Sequence, residues 1–331
     1  MTGDPYQAAY EAALEAPGSS GFYNKNVRID TPSGPVIVRI PLQEADEVDL
    51  RIWPEHEVLL VIAPYVTHAP RLLHISDSPA YQVHEFIPGL VVDDIAPRGD
   101  HVPSVVLDAV VELFSQLAAV PRGDLPDLPQ NWPADGDTTA FAHVLSDTTQ
   151  RVYDAFADEF ACLFAELGVP ADPLAAARAR WPAMASRPFR LLHSDVHRKN
   201  MIVDGARTIF LDWELALWGD PLYELAVHFH KMAYQDDERE TVLGHWLAAM
   251  PPELTRGWKQ DLDAYLAHER VKSAIVDTIR YRQLIASGEL TPAEEQELID
   301  KLYAKHTAAA AVWGISQPVS RETIEKSVRR D

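Results

Sequence analysis

Cysteine is almost absent from this chain: Cys162 is the only one among 331 residues, so no intrachain disulfide can staple the fold. Its neighbours Phe160, Ala161, Leu163 and Phe164 form an apolar helical pattern, which predicts a buried core thiol. Positive charge is also scarce. The 29 Lys and Arg stand against 50 Asp and Glu, a formal net charge of −21. Such a balance repels nucleic acid and anionic membrane surfaces and favours encounter with a cationic partner. No apolar run approaches the length of a membrane span, and Met1-Thr2-Gly3-Asp4-Pro5 lacks the basic and apolar regions of a signal peptide. A cytoplasmic location is therefore expected. Also missing are the G-x-S-x-G elbow, the G-x-G-x-x-G dinucleotide fingerprint and the Walker G-x-x-x-x-G-K, along with any internal repeat or low-complexity tract.

What the chain does have is an ordinary enzyme-like composition, 47% hydrophobic and 24% charged, and one information-rich stretch from Leu191 to Glu214. Met201-Ile202-Val203 and Thr208-Ile209-Phe210-Leu211 are β-prone runs joined through Asp204-Gly205, a strong hairpin signal. Asn200 precedes the first strand and Asp212 ends the second, so both fall at the open end of the hairpin. Two oxygen ligands there could share one cation. Asp195 lies on the loop leading in, with four residues between it and Asn200. This is the H-x-D-x-x-x-x-N spacing, followed by a metal-binding Asp, with which kinases handle a substrate hydroxyl and hold Mg²⁺. His193 and His197 are four apart, as zinc ligands on a helix would be. The Glu of H-E-x-x-H is missing, however, and a strand pattern follows.

The segment His193 to Asn200, then Leu211-Asp212-Trp213-Glu214, then Gly219-Asp220-Pro221-Leu222-Tyr223-Glu224-Leu225-Ala226, resembles the aminoglycoside phosphotransferase and choline kinase-like enzymes. Their usual motifs are H-G-D-L-H-x-x-N, I-D-W/F-E and G-D-P-x-x-D-L-A, in this order and spacing. Ser194 replaces the usual Gly, Arg198-Lys199 a common Pro-Gly, and Glu224 a common Asp. The resemblance implies an α+β, bilobal protein-kinase-like fold: a small β-rich N-lobe over residues 1–90 and a larger helical C-lobe over 91–331. It further implies transfer of the γ-phosphoryl of ATP or GTP to a hydroxyl, with Asp195 catalytic, Asn200 and Asp212 on Mg²⁺, and His193 and Asp220 bracing the loop. An aminoglycoside-like or other antibiotic is the first acceptor expected. Choline, a sugar or an amino alcohol is the alternative, and a nucleotide-binding pseudokinase is a further one.

The same resemblance places functions along the chain. Pro5 to Glu15 has helical spacing, and the Gly18-Ser19-Ser20-Gly21 turn with the run to Ile29 would cover nucleotide phosphates, making Ser20 a candidate contact. Arg39, on the strand Val36 to Pro41, takes the position of the cation that meets the α and β phosphates. Glu55, with Glu57 as the alternative, would pair with it from a helix through Leu50 to Leu60. Strands Leu72–Ile75 and Tyr81–Phe86 lead into a hinge where Glu85, Phe86 and Ile87 would offer backbone groups to the base, with the linker near 88 to 95. Further helices are predicted from Ser104, over Phe141–Leu167, Pro173–Met184, Asp220–Ala233, Asp261–Ala286 and Pro292–Trp313, with a loop over Pro121–Asp135. The last of these starts at a Thr291-Pro292-Ala293-Glu294 capping box. Glu269 and Asp277 would meet an amine of the acceptor, and the last dozen residues are expected to be mobile.

Overall fold

A computed structural model describes residues 4–20, 24–42 and 49–330. Helix α1 (Pro5–Glu15), capped by the Asp4 carboxylate on the Tyr6 N–H, lies over a five-stranded antiparallel sheet. Its strands are β1 (Ser19–Ser20), β2 (Asn24–Thr31), β3 (Gly34–Pro41), β4 (Leu72–Asp77) and β5 (Ala80–Glu85), in the order β1-β2-β3-β5-β4. Alternation along β3 decides which residues reach the site. Val36 and Val38 pack with Ala13, Val27 and Val83 beneath α1, so Arg39 is turned to the opposite, buried face.

Helix α2 spans only Glu55–Ile62, not the whole of 50–60. Pro54 is the reason: it disfavours helical backbone at Trp53 before it, and the helix can begin only after it. That shift puts Glu55 at the first helical residue, buried and facing β3.

Beyond the sheet, β6 (Leu90–Val91) pairs with β8 (Met201–Asp204), which forms the expected hairpin with β9 (Arg207–Phe210). Gly89 just before β6 has φ +124°, and a Cβ there would lie 2.3 Å from the Val203 carbonyl oxygen. The chain can join the hairpin this closely only with glycine. The short helix α3 (Val92–Ile95) follows, and α4 (Ser104–Ala119) begins the helical region. Strand β7 (Arg190–Leu192) pairs with β10 (Leu217–Gly219), bracketing the candidate loop.

The remaining helices differ from expectation in several places. The run 141–167 is two helices, α5 (Thr138–Phe156) and α6 (Ala161–Glu166), because the turn between them lets Phe160, Leu163 and Phe164 join a second core with Ile275 and Ile299. Cys162 falls on the other side of α6 and is exposed, so it is not a core thiol. The stretch 173–184 holds only α7 (Ala175–Arg178) and a 3₁₀ turn at Trp181–Ala183; Pro182 removes a donor there, and the fully buried Trp181 donates its indole N–H to Ser146. The chain then runs through α8 (Pro221–Met232), α9 (Asp236–Ala249), α10 (Trp258–Ser287) and α11 (Pro292–Trp313), which begins at the expected capping box. The last segment is not loose. Helix α12 (Arg321–Val328) is capped by Ser320 and buries Ile324 and Val328 against the second core.

Candidate active site

Strand β7 delivers the chain to His193, Ser194 and Asp195, and Glu224 on α8 holds the turn. Its carboxylate accepts the N–H of His193 at 2.6 Å and of Ser194 at 2.9 Å. Burial pushes the Glu224 carboxyl up to about 7 against those bonds. Ser194 has φ +64°, the left-handed conformation that explains why glycine commonly fills this position. His193 donates Nε2–H to the Leu211 carbonyl at 3.1 Å and accepts the Asp195 N–H on Nδ1 at 3.3 Å. That pattern requires the neutral ring, and burial lowers its pKa to about 4. Both nitrogens are committed to fixing the loop.

Asp195 is nearly buried, and burial alone would raise its pKa. The Lys231 ammonium, in contact with Oδ1, and His197 at 3.6 Å overcome that and hold it well below the usual carboxylate range. Asn200 donates Nδ2 both to Asp195 Oδ2 at 2.8 Å and to its carbonyl at 3.1 Å. The amide is thereby oriented, with its oxygen left unused among the described residues. One residue beyond the β9 end, the Leu211 N–H bonds the Asn200 carbonyl at 2.8 Å, so Asn200 and Asp212 flank the open end of the hairpin.

Arg39 reaches the same point from β3. Nη2 lies 2.5 Å from Asp212 Oδ1 and 3.1 Å from Glu214 Oε2, while Nε lies 2.9 Å from Glu55 Oε2. Glu55 spends its other oxygen on the Trp213 N–H at 3.0 Å, tying α2 to the Asp212-Trp213-Glu214 turn. Burial opposes the Arg39 charge, but three carboxylates more than compensate and raise its pKa. Glu214 also accepts from Arg51 at 2.9 Å and Asn24 at 3.0 Å. Burial and the neighbouring Asp212 push its carboxyl up to about 7.

A model of the phosphotransferase enzyme family matches residues 16–258. The chain belongs to this family. Among solved structures, the phosphotransferase is similar to a choline/ethanolamine kinase family protein from Mesorhizobium loti, at 15% identity over 99% of this chain and 96% of that one, with TM-score 0.58. It is similar also to the aminoglycoside phosphotransferase APH(4)-Ia, at 18% identity over 97% of each chain and TM-score 0.55. A third, choline kinase LicA from Streptococcus pneumoniae, shares 14% identity over 89% and 92%, with TM-score 0.52. No curated protein matches. At these identities the neighbours fix the fold, which is protein-kinase-like, and the family makes the chain a small-molecule phosphotransferase.

The other predicted residues of the phosphotransferase are placed as follows. Asp220 is fully buried, caps α8 through the Leu222 N–H, and is gripped by Arg187 at 2.6 and 2.8 Å and by Tyr265 at 2.8 Å. Glu85 donates its N–H to the Arg71 carbonyl and its carboxylate accepts from the Arg71 N–H and Nε–H, so of the three expected hinge residues Phe86 and Ile87 keep N–H groups unclaimed by other described residues. Ser20 ends β1, and 21–23, the rest of the expected phosphate loop, lie outside the described residues. Glu269 is buried on α10, bonded by Tyr223 and His268 at 3.1 Å, with Lys272 at 3.6 Å; Asp277 pairs with Lys305 at 2.6 Å.

Sequence reasoning missed Lys231 and Arg187. Lys231 is an ordinary basic residue in the last turn of a helix, and only the fold carries it across to Asp195. Arg198, where the resembling enzymes commonly have Pro, is buried and bonds the carbonyls of Ala96, Pro97 and Met232. Beside Asp195 a cleft of about 610 Å³ opens between the 93–98 segment, the end of α8, α10 and α11. Among the described residues, no helix is long and apolar enough to cross a membrane.

Proposed function

We propose that this phosphotransferase moves the γ-phosphoryl group of ATP or GTP to a hydroxyl of a small molecule, with Asp195 meeting the hydroxyl proton. The observation behind this reading is the meeting of Asp195, Asn200 and Asp212 at one hairpin end, with Arg39 and Glu55 arriving there from the sheet. Asn200 and Asp212 are both hard oxygen donors, suited to Mg²⁺. The amide is already turned by Asp195 so that its oxygen remains for a cation. When bound, such an ion supplies positive charge against the phosphate oxygens. Arg39, oriented by Glu55, steadies the α and β phosphates, and the Phe86 and Ile87 N–H groups face the base. Asp195, kept anionic by Lys231, orients the hydroxyl and takes up its proton. Most of the rate in such a reaction comes from positioning and charge neutralisation, which rigid carboxylates and cations provide.

An antibiotic is one acceptor class with precedent, since APH(4)-Ia forms a ternary complex with AMP-PNP and hygromycin B; choline or another metabolite alcohol is the alternative that the choline kinases suggest. All three of Asp195, Asn200 and Asp212 are present, which favours an enzyme over a pseudokinase. In a coupled ADP or GDP release screen over antibiotics and metabolites, Asp195→Ala is expected to leave nucleotide binding near normal and to remove turnover. Turnover equal to the parent would overturn the assignment.

A further inference from the structure

The net charge of −21 points to a cationic acceptor. The lining of the cleft beside Asp195 points the other way. Among the described residues, eight Lys and Arg side chains line it against five Asp and Glu, the inverse of the proportion in the whole chain. Most of these charges cancel locally. Lys272 lies against Glu269, Lys301 against Glu297, Lys305 against Asp277 and Arg280 against Asp49, while Lys231 is held by Asp195 at the mouth.

Three cations form no close ion pair with a carboxylate among the described residues, although Asp277 acts on Arg98 and Glu297 on Lys199 from farther off. Arg98 bonds only the carbonyls of His230 and Lys231. Arg198, 3% exposed, bonds only carbonyls, and its Nη2 has no acceptor at all. Lys199 is exposed and forms no close ion pair among the described residues. Against them stands one unpaired acid in the lining, Asp93. A contiguous hollow of about 790 Å³ adds Arg270 and Asp300, one charge of each sign, and leaves the excess unchanged.

These cations do not belong to the nucleotide side. No residue of β1–β5 lines the cleft, whereas Arg39, the cation we assign to the phosphates, lies on β3. His197 and Lys231 do line it and also touch Asp195, so a molecule in the cleft has a route to that carboxylate. Low-dielectric walls with uncompensated positive charge concentrate anions. We infer that the acceptor is an alcohol bearing an anionic group, a carboxylate or a phosphate, which Arg98, Lys199 and the buried charge of Arg198 recognise while its hydroxyl meets Asp195. The inference rests on the phosphotransferase reading and narrows its acceptor class. In this arrangement Glu269 and Asp277 act on the acceptor through the lysines they hold.

The test offers the full chain, with Mg²⁺ and ATP or GTP, four acceptors differing in charge: gluconate, glycerol 3-phosphate, choline and kanamycin. Transfer is followed by ³¹P NMR, and binding by calorimetry with and without a nonhydrolysable nucleotide. We expect at least one anion to bind and be phosphorylated with kcat/KM about tenfold or more above either cation. Which anion wins separates a carboxylate from a phosphate acceptor. Lys199→Glu and Arg98→Glu, both at exposed positions, should each weaken anion binding by about tenfold and leave nucleotide affinity unchanged. Preference for either cation, absence of anion binding at millimolar concentration, or anion affinity indifferent to both reversals overturns the inference. Failure to bind Mg-nucleotide overturns the phosphotransferase reading instead, and anion binding to the nucleotide-free chain still reads the cleft directly.

Discussion

Replacing Lys231 with methionine removes the cation on Asp195 while keeping most of the side chain's length and apolar volume. In the native protein the ammonium contacts Oδ1, and Asn200 donates to Oδ2 at 2.8 Å. Two unit charges about 4 Å apart attract by about 4 kcal/mol at an effective dielectric of about 20. The Lys231 side chain keeps 27% of its exposure, so solvent screens part of this. We expect a loss of about 1–2 kcal/mol in stability at neutral pH, and a rise in the Asp195 pKa. The sign follows from linkage. A carboxyl whose folded pKa is depressed lends stability above its unfolded pKa, and that stability is lost as pH falls through the lower folded value. Without Lys231, burial is opposed only by His197 and the Asn200 amide, so the folded pKa climbs. An acid limb due to Asp195 should therefore lie at higher pH in the variant than in the parent, and the urea midpoint at pH 7 should drop. Lys231→Arg keeps the charge and should hold the limb in place. An acid limb unmoved in Lys231→Met, together with an unchanged urea midpoint, would refute the claim that this lysine sets the ionisation of Asp195.

Three further outcomes are expected. Asp212→Ala should weaken Mg-nucleotide binding, read by calorimetry, because it removes one proposed ion ligand and frees Arg39 from its 2.5 Å pair; unchanged affinity would count against the ligand assignment. His193, His228, His230 and His306 are lowered by burial to about 4, so their imidazole NMR signals should remain those of the neutral ring down to about pH 5. The unfolded chain takes up those protons near pH 6.5, so each ring withdraws stability as pH falls from there toward 4. Glu214 and Glu224, raised to about 7, act in the opposite sense because the folded state binds their protons first. Cys162→Ser should change the unfolding free energy by no more than about 0.5 kcal/mol, as suits an exposed position; a loss of about 2 kcal/mol would mean that the thiol is buried after all.

How much could be read from the chain depends on whether the determining interactions are local. The hairpin was legible because Asp204-Gly205 dictates a turn and the flanking runs dictate strands. The positions of Asp195, Asn200 and Asp212 followed from it, since short spacings leave little freedom. Helix limits were less legible. Pro54 shortened α2, and Pro182 with the burial of Trp181 broke up the stretch before β7, both effects that apolar periodicity ignores. Cys162 was misread for a related reason: in a helix as short as α6, apolar neighbours do not establish which face the intervening residue takes. Long-range ion pairs were invisible. Lys231 lies 36 residues from Asp195, and Arg187 33 from Asp220, with nothing in either local pattern to mark the partner. The same limit governs electrostatics. A net charge is a sum over the whole surface, whereas a ligand responds to charges within roughly a Debye length of about 8–10 Å. Arg98, Arg198 and Lys199 come from two segments a hundred residues apart, and only the packing of the 93–98 turn against the loop after Asp195 brings them together. An acidic protein can therefore hold a basic cleft without any contradiction in its composition.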